Sequence, residues 1–254
     1  MDQFLYSAYT VILIVLTALT ARIWLRTRSV GTLMMLLVNA ALIYENGVLA
    51  LGVVIGHGPL LESLSWLRFI GYAAFPPLLV ISGLDMARRS GVTWAGDRRV
   101  RIGGWVVAAA LIVLGLAVEV FGRALEPRVM NGVVRYMWMT KGIPPMAVIL
   151  MTLMLIGIGL ALWRQTRFAG LFVGSLLLLV GNGLAAGKYV LGSGIEMAFM
   201  TVLLYCEVWV LHPQPRSRSR WNSASRRGRP PAIEATGAEA TPARLDSDFP
   251  RATR

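Results

Sequence analysis

Seven long runs of apolar residues constrain the fold of this chain more than any other feature. Each approaches the roughly 20 residues that an α-helix needs to cross a bilayer. Each run is predicted to be helical, because unpaired backbone amides are too costly in lipid. The predicted spans are residues 4–24, 30–55, 61–86, 102–122, 143–163, 167–187 and 189–211. The sequence therefore predicts an all-α polytopic membrane protein, a bundle of seven transmembrane helices within residues 1–211.

Composition excludes an ordinary soluble domain. Of the 254 residues, 56% are hydrophobic, and the mean hydropathy is +0.62, values typical of membrane proteins. The single cysteine, Cys206, excludes an intrachain disulfide and a cysteine metal cluster. No cofactor and no metal site are predicted. Because Arg22, Arg26 and Arg28 follow the first apolar run, that run is expected to be a retained span and not a cleaved signal.

Arginine is concentrated in alternate loops, and this fixes a predicted orientation. By the positive-inside rule these loops face the cytoplasm, which places the N-terminus outside and the C-terminus inside. The expected location is the bacterial inner (plasma) membrane, crossed several times. The basic loops contain Arg22, Arg26 and Arg28, then Arg88, Arg89, Arg98, Arg99 and Arg101, and then Arg164 and Arg167.

Residues 212–254 differ sharply from the rest of the chain. They are rich in Pro, Ser, Arg and Ala without apolar periodicity, which predicts a disordered basic cytoplasmic tail. No catalytic domain is expected there. Its arginines suit anionic lipid headgroups, at about 1 kcal/mol per basic residue, or they are simply solvated; nucleic acid is not an expected partner. The cluster consists of Arg216, Arg218, Arg220, Arg226, Arg227 and Arg229.

Polar side chains within the spans are the candidate ligand-binding residues. Ionisable groups at the centre of a membrane helix cost at least about 2.5–3.5 kcal/mol, so they are functional candidates by default. Under the predicted topology the set lies mostly in the outer half of the bundle. It comprises Asn39, Glu45, Asn46, Trp66, Arg68, Tyr72, Asn182, Lys188 and Glu196.

Two interpretations of these polar residues remain open. In one, Glu45 pairs with Arg68 and Glu196 with Lys188, which holds the helices in register. In the other, the same groups line an outward-facing pocket that binds a ligand or relays protons. At the inner side, Asp85 and Glu207 are expected to pair with interfacial arginines.

Shorter motifs add local expectations. The longest outer loop, RALEPRVMNGVVRYMWMTKGIPP with Arg135 and Lys141, is predicted to place its aromatic residues at the membrane interface or to form a lid over the pocket. Pro76–Pro77 should kink the third span, and Pro144–Pro145 should begin the fifth. The spacings Gly170-x-x-x-Gly174 and Gly183-x-x-x-Gly187 suit close packing of helices or a dimer contact.

Catalytic motifs are scarce. His57 and His212 are the only histidines, and G-x-S-x-G, HExxH and P-loop patterns do not occur. No catalytic residue is therefore predicted.

The segment SLSWLRFIGYAAFPPLLVISGLDMARR, residues 63–89, resembles a known membrane module. It is similar to the third span of the seven-transmembrane sensor region of some bacterial histidine kinases and cyclic-dinucleotide synthases. Residues 171–187, LFVGSLLLLVGNGLAAG, resemble the sixth span of that region. The resemblance implies an input module that senses a signal at the outer face or within the membrane. It carries over Trp66, Arg68, Gly71, Pro76, Gly181 and Asn182.

These features together predict a non-enzymatic, sensor-like or ligand-binding module. Because the chain shows no output domain, it would signal through a cytoplasmic or membrane partner. The alternative is a small proton-coupled transporter with Glu45 as the titrating group. A membrane enzyme acting on lipid is a third hypothesis, and it would need an acid pair that the sequence does not reveal.

Overall fold

The fold is a bundle of α-helices with one β-hairpin. The structure, a computed structural model, describes residues 2–130, 132–139, 145–185 and 187–212. The helices are α1 (Asp2–Thr27), α2 (Val30–Ile55), α3 (Pro59–Ala74), α4 (Leu79–Arg89), α5 (Arg98–Gly115), α6 (Met146–Thr166), α7 (Gly170–Leu184) and α8 (Tyr189–Leu211). The strands are β1 (Leu125–Met130) and β2 (Val133–Trp138). Lys141, Pro144 and the predicted basic tail beyond His212 lie outside the described residues.

Six helical segments are long and apolar enough to cross a membrane. This agrees with the prediction of a multi-pass membrane protein. The remaining apolar helix, α7, has only 15 residues. At 1.5 Å per residue it is about 22 Å long, shorter than a hydrocarbon core of about 30 Å. The seventh span therefore stays a prediction. The six segments are Asp2–Thr27, Val30–Ile55, Pro59–Arg89, Arg98–Val120, Met146–Thr166 and Tyr189–Leu211.

The third segment is broken where the sequence predicts a kink. Helix α3 ends at Ala74, a short 3₁₀ turn spans Pro76–Leu78, and α4 begins at Leu79. Proline lacks an amide hydrogen, and its ring clashes with the preceding helical turn. The kink at Pro76–Pro77 is thus confirmed. The other proline prediction also holds in part, since Pro145 is the residue immediately before α6.

Glycines bring α6, α7 and α8 into close contact. A Cβ at Gly159 would lie 2.7 Å from the Phe172 Cα, so only glycine lets α6 and α7 approach this closely. A Cβ at Gly174 would lie 2.6 Å from Val202 Cγ1 on α8. The predicted motif of Gly170 and Gly174 therefore lies where α7 packs on α8 within the chain. A Cβ at Gly183 would meet nothing within 4 Å.

The hairpin corrects the prediction of an all-α chain. β1 and β2 pair antiparallel, with Met130 opposite Val133. The two-residue connection has the sequence Asn131-Gly132, a pair strongly preferred in tight hairpin turns, and Gly132 has φ of 79°. The hairpin packs on the helices at one end of the bundle, where a Cβ at Gly52 would collide with the Val134 carbonyl oxygen.

The two ends of the bundle have different compositions, and two names are used for them below. The hairpin end contains the first turns of α1, α3 and α8 and the last turns of α2. There Tyr6, Leu49, Ala50 and Val133 form one buried cluster, with Val190 against it. The arginine end lies at the opposite end of α2 and contains its first turn, the end of α4 and the last turns of α8.

Candidate ligand-binding site

A cavity of about 720 Å³ lies at the hairpin end. That volume falls within the range of about 300–1,000 Å³ that small-molecule sites occupy. Helices α1, α2, α3, α7 and α8 contribute walls. The hairpin region adds Arg128, Arg135, Met137, Trp138 and Met139. A second, smaller cavity of about 30 Å³ shares Tyr72, Asn182 and Glu196 with it and has an otherwise apolar lining.

Six of the nine predicted residues line the large cavity together. They come from four helices and from the residue that precedes α8. Glu45 and Glu196 are half-buried there, whereas Lys188 is exposed. The Tyr72 hydroxyl donates a hydrogen bond to Glu196 Oε1 over 3.2 Å. The six residues are Glu45, Arg68, Tyr72, Asn182, Lys188 and Glu196.

The other three predicted residues lie outside the lining of this cavity. Asn39 and Asn46 are buried, at 1% and 2% exposure. The Asn46 Nδ2 donates to the Leu42 carbonyl within α2, and the Oδ1 atoms of both side chains have no hydrogen-bond partner among the described residues. Trp66 packs edge-to-face on Trp138, with ring centroids 5.4 Å apart. Since Trp138 lines the cavity, Trp66 supports that wall from behind.

Neither ion pair of the structural interpretation is present within 4 Å among residues 2–130, 132–139, 145–185 and 187–212. Glu45 and Arg68 attract each other only across a longer distance. Arg68 instead donates from Nη2 to the Tyr136 carbonyl on the hairpin, over 3.2 Å. Its guanidinium also lies 4.4 Å from the centre of the Phe69 ring.

Several cavity residues were not predicted as site residues. Arg128 and Arg135 owe their positions to the hairpin, whose residues were predicted only as the longest outer loop. Arg135 of β2 is 6% exposed, and its guanidinium lies 4.3 Å from the centre of the Tyr189 ring. The Asn131-Gly132 pair between two apolar stretches was the signal that could have placed it. These residues include Tyr6, Glu119, Arg123, Arg128, Arg135 and Tyr189.

The arginine end contains a second group of buried charges, and here every carboxylate is paired. Arg89 bonds Asp85 through Nε at 2.9 Å and Glu207 through Nη2 at 2.6 Å. Arg88 binds Asp85 at 2.6 Å. Glu207, fully buried, also accepts from Thr32 Oγ1 at 2.7 Å. The predicted pairing of Asp85 and Glu207 with arginines near this end is confirmed.

The part of the chain that the structure describes contains no cluster of side chains that could bind a metal ion. Three or more His, Cys, Asp or Glu side chains do not gather there in a way that could hold an ion. The lining of the large cavity is suited instead to an organic molecule, because it combines aromatic rings with a few charged groups.

Comparison of the chain with models of known protein families and with curated proteins returned no match. The resemblance to the sensor region of bacterial histidine kinases therefore rests on residues 63–89 and 171–187 alone.

Proposed function

We propose that this chain is a seven-helix membrane protein whose outward-facing polar cavity binds a small ligand and passes that signal to a partner protein. The single observation that carries the proposal is the cavity of about 720 Å³ at the hairpin end. Isolated charges in a membrane helix are costly, yet Glu45, Arg68 and Glu196 surround one space and make no ion pairs with each other there. Such an arrangement favours a ligand site over a purely structural network.

The proposed topology places the hairpin end outside the cell. The α1–α2, α4–α5 and α6–α7 connections at the arginine end contain arginines with few carboxylates, and positively charged loops favour the cytoplasmic side. The hairpin connection also contains Arg123, Arg128 and Arg135, but Glu119 and Glu126 lie beside them in sequence. In this topology α7 is the seventh span; its small length would require local thinning of the bilayer, at a modest cost. The N-terminus is then outside, and the chain lies in the inner membrane of a bacterium.

Cysteine labelling tests this orientation. Cys206 is buried, so it is replaced by serine before single cysteines are introduced at the exposed positions His57 and Arg99. A membrane-impermeant maleimide should label His57→Cys in intact cells and Arg99→Cys only after the cells are opened. The reverse pattern would overturn the proposed orientation.

In this proposal, ligand binding is transmitted through α8 and through the broken segment of α3 and α4, because both extend from the cavity to the arginine end. Glu196 and Glu207 lie on the same helix, α8, with one in the cavity and the other in the arginine network. Tyr72 lines the cavity just before the break at Pro76–Leu78, and α4 beyond it carries Arg88 and Arg89. A ligand that shifts α3 or α8 therefore acts on the surface where a cytoplasmic partner would bind.

Filling the cavity tests the ligand-binding proposal. Gly192 lines the cavity, and a Cβ there would meet nothing within 4 Å. Gly192→Phe therefore has room for its Cβ and places a ring at the cavity wall. Gly157→Phe is the matched control, because Gly157 is an exposed mid-helix glycine with equally open surroundings outside the cavity.

The measurement is a thermal-shift screen of small molecules on the purified full chain in nanodiscs. Compounds that raise the melting temperature of wild type and of Gly157→Phe, but not of Gly192→Phe, are the expected result. Compounds that stabilise Gly192→Phe as strongly as wild type would contradict binding in this cavity.

The second candidate function is a small proton-coupled transporter, and the broken third segment favours it. Discontinuous membrane helices form the substrate sites of many transporters, and Tyr72 lies just before this break. Proton-driven flux in proteoliposomes that Glu45→Gln abolishes would support transport. Flux that is unchanged in Glu45→Gln would exclude the role of Glu45, and absence of any flux would favour the sensor.

A further inference from the structure

Three buried hydrogen-bond donors on the cavity wall have no acceptor. They are Arg68 Nε, Arg135 Nε and the Tyr6 hydroxyl, each without a hydrogen-bond partner among the described residues. Tyr6 is fully buried, and both arginines are 6% exposed. Buried polar groups in native proteins almost always have partners, so unpaired donors gathered at one cavity indicate that the acceptor comes from a ligand.

The hydrogen-bond partners of the two arginines are neutral, so they position the guanidinium groups without neutralising their charge. Arg68 donates to a neutral carbonyl, that of Tyr136, and lies over Phe69. Arg135 bonds the Met130 sulfur through Nη2 at 3.0 Å and lies over Tyr189. Ion pairs within 4 Å in the described part of the chain involve neither arginine.

These three donors line one cavity, and Arg68 bonds the carbonyl of Tyr136, the residue that follows Arg135. Arg68 and Arg135 repel each other, and both interact electrostatically with the Tyr6 side chain. Glu45 is the carboxylate that partly offsets Arg68. Around the whole cavity, cationic side chains outnumber carboxylates by five to three among the described residues. The cations are Arg68, Arg123, Arg128, Arg135 and Lys188, and the carboxylates are Glu45, Glu119 and Glu196.

The geometry points to an organic anion as the ligand, with its carboxylate or phosphate group held between Arg68 and Arg135 and hydrogen-bonded by Tyr6. Arginine suits this role because its planar fork of donors matches both groups. The apolar part of the ligand packs on Phe69, Trp138 and Tyr189, which line the same space. This assignment rests on the proposed ligand-binding function and adds the chemical class of the ligand.

Four probes that share a naphthyl ring test the charge preference. Naphthoate, naphthyl phosphate, naphthol and naphthylmethylammonium are titrated by calorimetry into the full chain in phosphatidylcholine nanodiscs. One of the two anions should bind at least about tenfold more tightly than the neutral and cationic probes, the ratio expected from one charge-assisted hydrogen bond. Preference for naphthol or for the ammonium probe would overturn the inference.

Substitutions then locate the anion. Arg68→Gln, Arg135→Gln and Tyr6→Phe should each weaken anion binding, by about tenfold or more for the arginines. Arg101→Gln is the matched control, since Arg101 is an exposed arginine near the start of α5 and does not line the cavity. Tyr6→Phe removes only a hydroxyl, so the anion site can still be tested if an arginine variant fails to fold. Unchanged anion affinity in Tyr6→Phe and in every folded arginine variant would overturn the site.

The anion can come from solution or from a lipid headgroup, and a change of bilayer separates the two sources. Nanodiscs of phosphatidylcholine and phosphatidylglycerol in equal parts replace the neutral ones. Two results together would assign the site to lipid. The anionic probe binds more weakly in the phosphatidylglycerol nanodiscs, and native mass spectrometry shows phosphatidylglycerol retained by wild type but not by Arg135→Gln. Unchanged probe affinity assigns it to a soluble anion.

Gly192→Phe distinguishes failure of this inference from failure of the proposed function. If only the neutral or cationic probe binds, and Gly192→Phe abolishes that binding, the cavity is a ligand site but the anion assignment is wrong. The proposed function fails as well if Gly192→Phe alters the affinity of none of the probes and no compound in the thermal-shift screen gives the expected result.

Discussion

The two ends of the bundle treat buried charge in opposite ways. At the arginine end, Arg89 forms ion pairs with both Asp85 and Glu207, so each buried carboxylate there has a cationic partner. At the hairpin end, Arg68 and Arg135 are each 6% exposed and have only neutral hydrogen-bond partners. Breaking a buried ion pair is strongly destabilising, because it leaves an uncompensated charge. The paired end therefore stabilises the fold, and the unpaired end has the properties of a site.

The largest effect is expected from Arg89→Met. This change leaves fully buried Glu207 without its cationic partner and should lower the free energy of unfolding by about 3–5 kcal/mol. Thermal and denaturant unfolding in detergent measure it. Arg88→Met is the control, because Arg88 is 45% exposed and should cost less than about 1 kcal/mol. Equal losses in the two variants would contradict the structural role of the buried pair.

Packing at the two ends should respond differently to one added methyl group. Gly159→Ala, where the Cβ would press on the backbone of α7, should destabilise by about 1–3 kcal/mol. Gly192→Ala in the open cavity should stabilise by up to about 1 kcal/mol, since alanine is the better helix former. Unfolding of the two variants under the same conditions checks the sign. A stabilising Gly159→Ala would show that α6 and α7 can separate.

A smaller effect is expected at Ser29, which begins α2 at the arginine end. Its hydroxyl caps the helix by accepting from the Thr32 amide, and it also donates to Asp85. Ser29→Ala should cost about 1–2 kcal/mol. Ser63→Ala is the control, since the Ser63 hydroxyl bonds only the Pro59 carbonyl in its own helix. Identical stabilities of the two variants would remove Ser29 from the network.

The smallest change in stability is expected at Arg68, and this is the sharpest test of the comparison. Arg68→Met loses one hydrogen bond to a carbonyl but also removes a buried charge that has no ion pair. These effects oppose each other, so the free energy of unfolding without ligand should change by less than about 1 kcal/mol. A loss as large as that in Arg89→Met would make Arg68 a structural residue.

Sequence patterns predicted the helices well because each apolar run must form a helix if it enters a bilayer. They also predicted the break at Pro76–Pro77, since proline acts locally. The pairing of Asp85 and Glu207 with interfacial arginines followed from their depth along the helices, but the sequence did not single out Arg89 as the partner of Glu207. Tyr6 and Arg135 were missed as partners because they are 129 positions apart in sequence, and only the folded hairpin brings them to one wall. Eight of the nine predicted site residues are polar, and polarity alone does not separate Asn39, buried in α2, from Glu45, which lines the cavity.

The hairpin has a kinetic consequence. Arg68 belongs to α3, whereas Arg135 belongs to β2, which rests on Gly52 and on the apolar cluster around Val133. If both arginines hold an anion as proposed, the anion is released when either contact opens. Its lifetime on the protein therefore depends on how firmly the strand is seated, and mutations in the Gly52 contact would change the off-rate without altering a single charge.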